Sequence, residues 1–172
     1  MKLPHVVLDA RVYLEDRLLV GQGSVALPNL QPMSESVKGA GFAGEVELPL
    51  IGQYQSMQCK IDFSSITEDA VSLAAPETRT ITVRGSQQIH DTATGIAGTV
   101  PVVAFMRVHP KSVDLGKLEK GSGSDTSIEL EALSIRLLVD GIEKVWIDKA
   151  NYVCRFDGVD YLEKVRADLG MT

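Results

Sequence analysis

The chain predicts a mainly β fold, an antiparallel β-barrel or sandwich carrying two short α-helices. Three observations point there. Apolar residues alternate with polar ones at a period of two through most of the sequence. The dipeptide Asp140-Gly141 follows an alternating run, as a tight hairpin turn does, and Asp157-Gly158 ends a further short strand. Only two stretches show helical spacing, and each begins on a capping pattern.

The elements follow in chain order. Ala26 to Glu35 carries two prolines and reads as a loop. Glu45 and Glu47 then alternate with Val46, Leu48 and Leu50, and Ser56, Gln58, Lys60 and Asp62 alternate with Met57, Cys59, Ile61 and Phe63. Each is a strand with one dry and one wet face. Ser65 to Glu68 has capping-box spacing, so a helix is expected over about Ile66 to Ala74, stopped by Pro76. From Thr80 to Gln88 the even positions are polar while Ile81 and Val83 point the other way. In Val100 to Val108 the even positions form the apolar face, and His109-Pro110 ends the strand. Lys111 to Thr126 reads as a long charged loop, either mobile or ordered by a partner.

The longest strand runs from about Ser127 to Val139. Its apolar parity changes from even (Ile128, Leu130, Ala132) to odd (Leu133, Ile135, Leu137), which requires a bulge near Ala132-Leu133. Ile142 to Asp148 is its hairpin partner, and Tyr152 to Phe156 is a further short strand. Asp160 to Glu163 then opens a helix over about Tyr161 to Leu169. Leu162, Val165 and Leu169 are expected as its buried stripe and Gly170 as its terminator.

Length and charge exclude several classes of function. At 172 residues, the chain is expected to form one domain spanning 1–172. Seventeen basic against 23 acidic residues leave a net charge of −6, the wrong sign for a phosphate-binding surface. No run approaches the roughly 20 apolar residues of a membrane span, and Met1 to His5 lacks a signal-peptide pattern, so a cytoplasmic protein without a membrane anchor is expected. Cys59 and Cys154 lie far apart, and neither is near His5, His90 or His109, so no zinc site is indicated and reduced core thiols are expected.

Motifs that resemble chemistry dissolve on inspection. Gly39-Ala40-Gly41-Phe42-Ala43-Gly44 matches GxGxxG, but a dinucleotide site needs a buried strand before it and a helix after it. Here Ser34 to Lys38 is not a buried run, and Glu45 to Leu50 alternates as a strand. A glycine-rich bend between two strands explains the same letters. His90 and Asp91 point to opposite faces of a strand, no GxSxG elbow occurs, and Glu129 and Glu131 read as a solvated face. No enzyme, cofactor or metal is expected.

A large wet sheet face remains. It fits a monomeric sandwich with solvated outer faces, and it also fits a sheet whose edges join identical neighbours into a wide ring.

The order of segments resembles the tail tube proteins of contractile-tailed bacteriophages and phage-tail-like bacteriocins. The resemblance is carried by Val25-Ala26-Leu27-Pro28-Asn29-Leu30, then Val37 to Gly44, then Ser56-Met57-Gln58-Cys59. Near the end come Arg136-Leu137, Asp140-Gly141, Ile147-Asp148, Asn151 and Asp157-Gly158-Val159-Asp160. It implies a structural subunit of an inner tail tube, six copies per ring and rings stacked into a conduit through the cell envelope. The implied partners are further copies of the chain, the tail sheath protein, the tape measure protein and the baseplate, with DNA passing unbound if the particle is a phage. Assembly in the bacterial cytoplasm, into a virion tail or a released tailocin, goes with it. The alternatives are a type VI secretion-like tube or carrier and a soluble β-sandwich binding module.

On this resemblance, Leu27, Pro28, Leu30, Lys38, Gly39, Gly41 and Gly44 are the candidate inter-ring contacts. The lumen candidates are Thr80, Thr82, Arg84, Ser86, Ser127, Glu129, Glu131 and Ser134. Six copies would carry 6 × (−6) = −36 charges, so a polar, net acidic bore is expected.

Overall fold

The computed structural model describes residues 2–19, 22–38, 41, 43–93, 95 and 97–171. The alternating runs become strands β1 (Lys2–Leu14), β2 (Arg17–Leu18), β3 (Gln22–Ala26), β4 (Pro32–Lys38), β5 (Glu45–Tyr54) and β6 (Gln58–Phe63). Helix α1 (Glu68–Leu73) precedes β7 (Arg79–Asp91), β8 (Ala97–Asp114), β9 (Thr126–Val139), β10 (Ile142–Asp148), β11 (Val153–Phe156), β12 (Val159–Asp160) and helix α2 (Glu163–Asp168). One antiparallel sheet runs β12-β11-β10-β9-β8-β7-β1-β2, with β6 added on β9 and β3 on β6; β4 and β5 form a separate two-stranded ribbon.

Strand β9 organises this sheet. One edge pairs with β8 throughout, while the other pairs first with β6 (residues 126–131) and then with β10 (134–139). The expected bulge sits at the junction: Arg107 opposes Ser134 and Val108 opposes Ala132, leaving Leu133 as the extra residue. On the other edge of β9, the Ala132 amide bonds Met57 O at 2.7 Å and the Leu133 carbonyl accepts from Lys149 N at 3.2 Å, so the backbone stays paired where β6 gives way to β10. Ile128, Leu130, Ala132 and Ile135 are therefore all buried despite their opposite parity.

The core lies inside the curl of the sheet. Phe63, Met57, Ile61, Ile81, Met106, Ile128 and Leu130 fill it, and α1 adds Ala70 and Leu73. Each of the large side chains contributes about 1.5–3 kcal/mol by leaving water. The curl does not close into a barrel. β3 comes round beside β1, but no hydrogen-bond ladder joins them among the described residues.

Several boundaries differ from the sequence reading. The expected loop Ala26 to Glu35 shrinks to residues 27–31, because β4 pairs with β5 despite being exposed along its length. His109-Pro110 does not end its strand: β8 continues to Asp114, and the missing Pro110 amide falls beside a register shift. The segment 115–125 is not held only by a partner. Lys117 N bonds Ser124 O at 2.8 Å, Ser124 N bonds Ser64 O at 3.2 Å, and Ser124 and Thr126 are buried.

Both helix starts also move. Thr67, not Ser65, caps α1 by accepting from Ala70 N at 3.2 Å. Asp160 does not cap α2, whose N-cap is Leu162. Leu162 is buried, but Leu169 is 57% exposed, because a helix of six residues presents little more than one turn to the sheet. Gly170 does end α2, with φ +67°.

Candidate functional site

The lumen candidates on β7 and β9 share one face of the sheet, the convex one opposite the core. Cross-strand register links them: Thr80 opposes Arg107, which opposes Ser134, and Thr82 opposes Phe105, which opposes Arg136. Because the bulge restores parity, Ser127, Glu129 and Glu131 emerge on this same face, beside Asp62, Lys60 and Gln58 of β6. Thr80 and Arg84 are exposed, and Ser86, Ser127, Glu129, Glu131 and Ser134 are half-buried. Thr82 is only 7% exposed, flanked by the rings of Tyr13 and Phe105.

This face carries bases as well as acids. Acids are answered by bases strand after strand: Arg11–Asp9 at 3.3 Å, Lys60–Asp62 at 3.1 Å, Arg107–Asp148 at 3.2 Å, Arg136–Glu143 at 2.6 Å and Lys149–Glu131 at 3.6 Å. Arg84 stacks over Tyr13 at 5.8 Å, and Trp146 lies between Arg136 at 5.4 Å and Arg155 at 4.8 Å. Sequence alternation missed this arginine–aromatic row, since its members come from different strands. Asp62 is held below the usual carboxylate range, chiefly by the Ser24 hydroxyl, which donates at 2.7 Å.

Glu129 and Glu131 are not equivalent. Glu129 accepts from the Ser112 hydroxyl at 3.0 Å. Glu131 accepts the Met57 amide at 3.1 Å and the Ser56 hydroxyl, fastening the start of β6 to β9. What read as a solvated pair is one surface carboxylate and one structural one.

The inter-ring candidates fall into two groups. Leu27 is exposed, Pro28 is half-buried, and Leu30 packs against the core. Lys38, Gly41 and Gly44 lie at the tip of the β4–β5 ribbon, where Lys38 opposes Glu45; Gly39, like Ala40 and Phe42, lies outside the described residues. Gly41 and Gly44 have φ of +111° and +138°, so these two glycines of the GxGxxG motif lie in a bend between two strands. Ser36 and Lys38 both reach Glu45, the Ser36 hydroxyl foremost, and hold its carboxyl below the usual range.

This ribbon has two unlike faces. Register puts Ser36, Lys38, Glu45 and Glu47 on one, and Val37, Val46 and Leu48 with Glu35 on the other. Leu48 is 43% and Val37 37% exposed. A two-stranded ribbon is marginal alone in water, so an uncovered apolar face is a surface awaiting a partner.

The root of the ribbon is anchored. Lys149 Nζ bonds Gln55 O at 2.7 Å, and Gly52 packs under Leu162. Beyond it, Asp160 accepts from Arg166 at 2.7 Å and from Leu162 N at 3.0 Å, and Arg166 above all holds its carboxyl low. Cys59 and Cys154 are buried free thiols, and burial pushes Cys59 up to about 12. His90 meets His5 edge-on at 5.3 Å, a contact made across strands rather than with Asp91. No group of three metal-ligating side chains converges among the described residues.

Comparison with known proteins fits these surfaces. Residues 4–170 match the family described as Phage tail tube protein FII. The tail tube protein of Escherichia phage P2 is 32% identical, over 99% of this chain and 100% of its own length. Among solved structures, the sheath/tube terminator of the extracellular contractile injection system PVC, in its extended state, superposes with a TM-score of 0.54 at 15% identity. That match covers 78% of this chain and 96% of the other. The PVC sheath-tube complex gives 0.51 at 15% identity, over 75% and 87%. The chain therefore belongs to the phage tail tube protein FII family, whose members are structural tail tube proteins and not enzymes.

Proposed function

We propose that this tail tube subunit acts as one domain spanning residues 1–172 and self-assembles into six-membered rings that stack into a conduit through the cell envelope. The observation that carries this is the ribbon's uncovered apolar face, which a lone subunit leaves in water. Ring stacking uses Leu27, Pro28 and Leu30 with Lys38, Gly41 and Gly44 of the ribbon tip, and Gly39, which lies outside the described residues, is proposed with them on sequence grounds. The convex face bearing Thr80, Thr82, Arg84, Ser86, Ser127, Glu129, Glu131 and Ser134 lines the bore. Its charge-balanced character supports passage of DNA without retention, since a surplus of unpaired lysine and arginine would release counterions and hold the phosphates.

The PVC neighbours, described as sheath-tube assemblies, support a surrounding sheath as partner; a tape measure protein and a baseplate complete the set. Assembly takes place in the bacterial cytoplasm before the tail particle is released. Electron microscopy of the purified protein tests the reading: rings with six-fold averages and tubes of uniform width are expected. A protein that stays monomeric at high concentration and in the presence of its sheath would refute it.

A further inference from the structure

We infer that the apolar face of the β4–β5 ribbon of one copy packs onto an uncovered apolar face formed by the distal parts of β1, β7 and β8 in a second copy of this chain. This rests on the tube-subunit reading and deepens it by naming both halves of one contact. The acceptor follows from register. Core-facing Ala10 opposes Gly85 and Gly85 opposes Val102; one step further out, Val7 opposes Gln87 and Gln87 opposes Val100. A bulge at Leu8, between the Val7 and Asp9 pairings, returns Val7 to the core-side face although it lies three positions from Ala10. Among the described residues this face continues past the end of the core without a covering layer: Val7 is 58% exposed, and Val100 and Val102 are half-buried.

At its inner end lies a cavity of about 270 Å³ where β3 fails to close on β1, lined by Val7, Val25, Leu27, Val102 and Gly85. Gly85 leaves its floor open, since a Cβ there would meet nothing nearer than 3.8 Å.

Donor and acceptor match in form. Both are amphipathic sheet pieces with one uncovered apolar side, and such faces stack about 10 Å apart with interdigitating side chains. The seven residues of β4 span about 23 Å and the first nine of β1 about 30 Å, at about 3.3 Å per residue. Because the two patches differ, the contact is heterologous: it repeats head to tail and leaves a fresh donor and acceptor at the ends, as a growing tube needs. A self-complementary patch would stop at a dimer.

Hydrogen exchange on assembled against unassembled wild-type protein tests this. Amides of 33–48 and of 85–91 and 97–102 should slow together by at least about tenfold on assembly. A chain carrying both Leu48→Cys and Val100→Cys should give a ladder of covalent multimers on oxidation, with neither single variant passing a dimer; the native thiols are buried. Gly85→Leu, which fills the cavity, should leave the subunit folded by circular dichroism and abolish tubes. Wild-type tubes in which 85–102 exchange as fast as in free subunits, or double-cysteine tubes that yield no ladder, would overturn the contact while leaving the tube reading standing. Wild-type protein that forms neither rings nor tubes overturns both.

Discussion

Replacing Glu131 by alanine should destabilise the isolated subunit by about 1.5–3 kcal/mol, while Glu129→Ala should change it by less than about 0.5 kcal/mol. Glu131 accepts two hydrogen bonds, from the Met57 amide and the Ser56 hydroxyl, and lies 3.6 Å from Lys149. A bond to a charged acceptor contributes about 1.5–3 kcal/mol when dry. The Glu131 side chain is 27% exposed, so water reaches it and about half that value per bond is appropriate. For a chain of this size the loss corresponds to a drop in Tm of about 3–12 °C. Urea unfolding followed by the fluorescence of the single tryptophan, Trp146, measures it on subunits kept dilute enough that the midpoint does not vary with concentration. Equal costs at the two glutamates, or less than about 0.5 kcal/mol at Glu131, would refute the assignment. The consequence is practical: Glu129→Lys is a clean probe of the bore, whereas Glu131→Lys places a cation beside Lys149 and loosens β6.

Three further outcomes are expected. Asp160→Asn should weaken the subunit at neutral pH, since Asp160 is 10% exposed and takes bonds from Arg166 and Arg155. Its folded pKa lies below the ordinary 3.8, so its stabilisation is complete well above that value and is lost as pH falls through the folded pKa. Wild type and variant should therefore differ in urea midpoint at pH 7 and converge in acid; a gap that persists unchanged at pH 2 would contradict this. Gly41→Val should strain the ribbon tip by about 1–2 kcal/mol through its φ of +111°, with no clash, giving a folded monomer that forms few tubes by microscopy. Gly116→Ala should cost more, because its Cβ would fall 1.6 Å from Ser124 O; proteolysis within 115–125 should quicken markedly.

The alternation of polar and apolar residues determined most of the strands, because a half-buried strand writes its two faces into every second position. The parity break predicted the Leu133 bulge, and the two Asp-Gly pairs predicted turns whose residues have φ of +53° and +75°, and +47° and +85°. Those are local signals, and they survived folding. Pairing between distant strands was not local. That β9 serves β6 and β10 in succession, that Pro110 lies inside a strand, and that β3 stops short of closing on β1 depend on which edges meet. The same holds at the surfaces. Periodicity placed Glu129 and Glu131 on a wet face, but only the approach of Ser56 and Met57 made one of them structural. The apolar patch at Val7 was hidden because the bulge at Leu8 breaks the alternation that a sequence reader follows, and its faces become neighbours only when β1, β7 and β8 lie side by side.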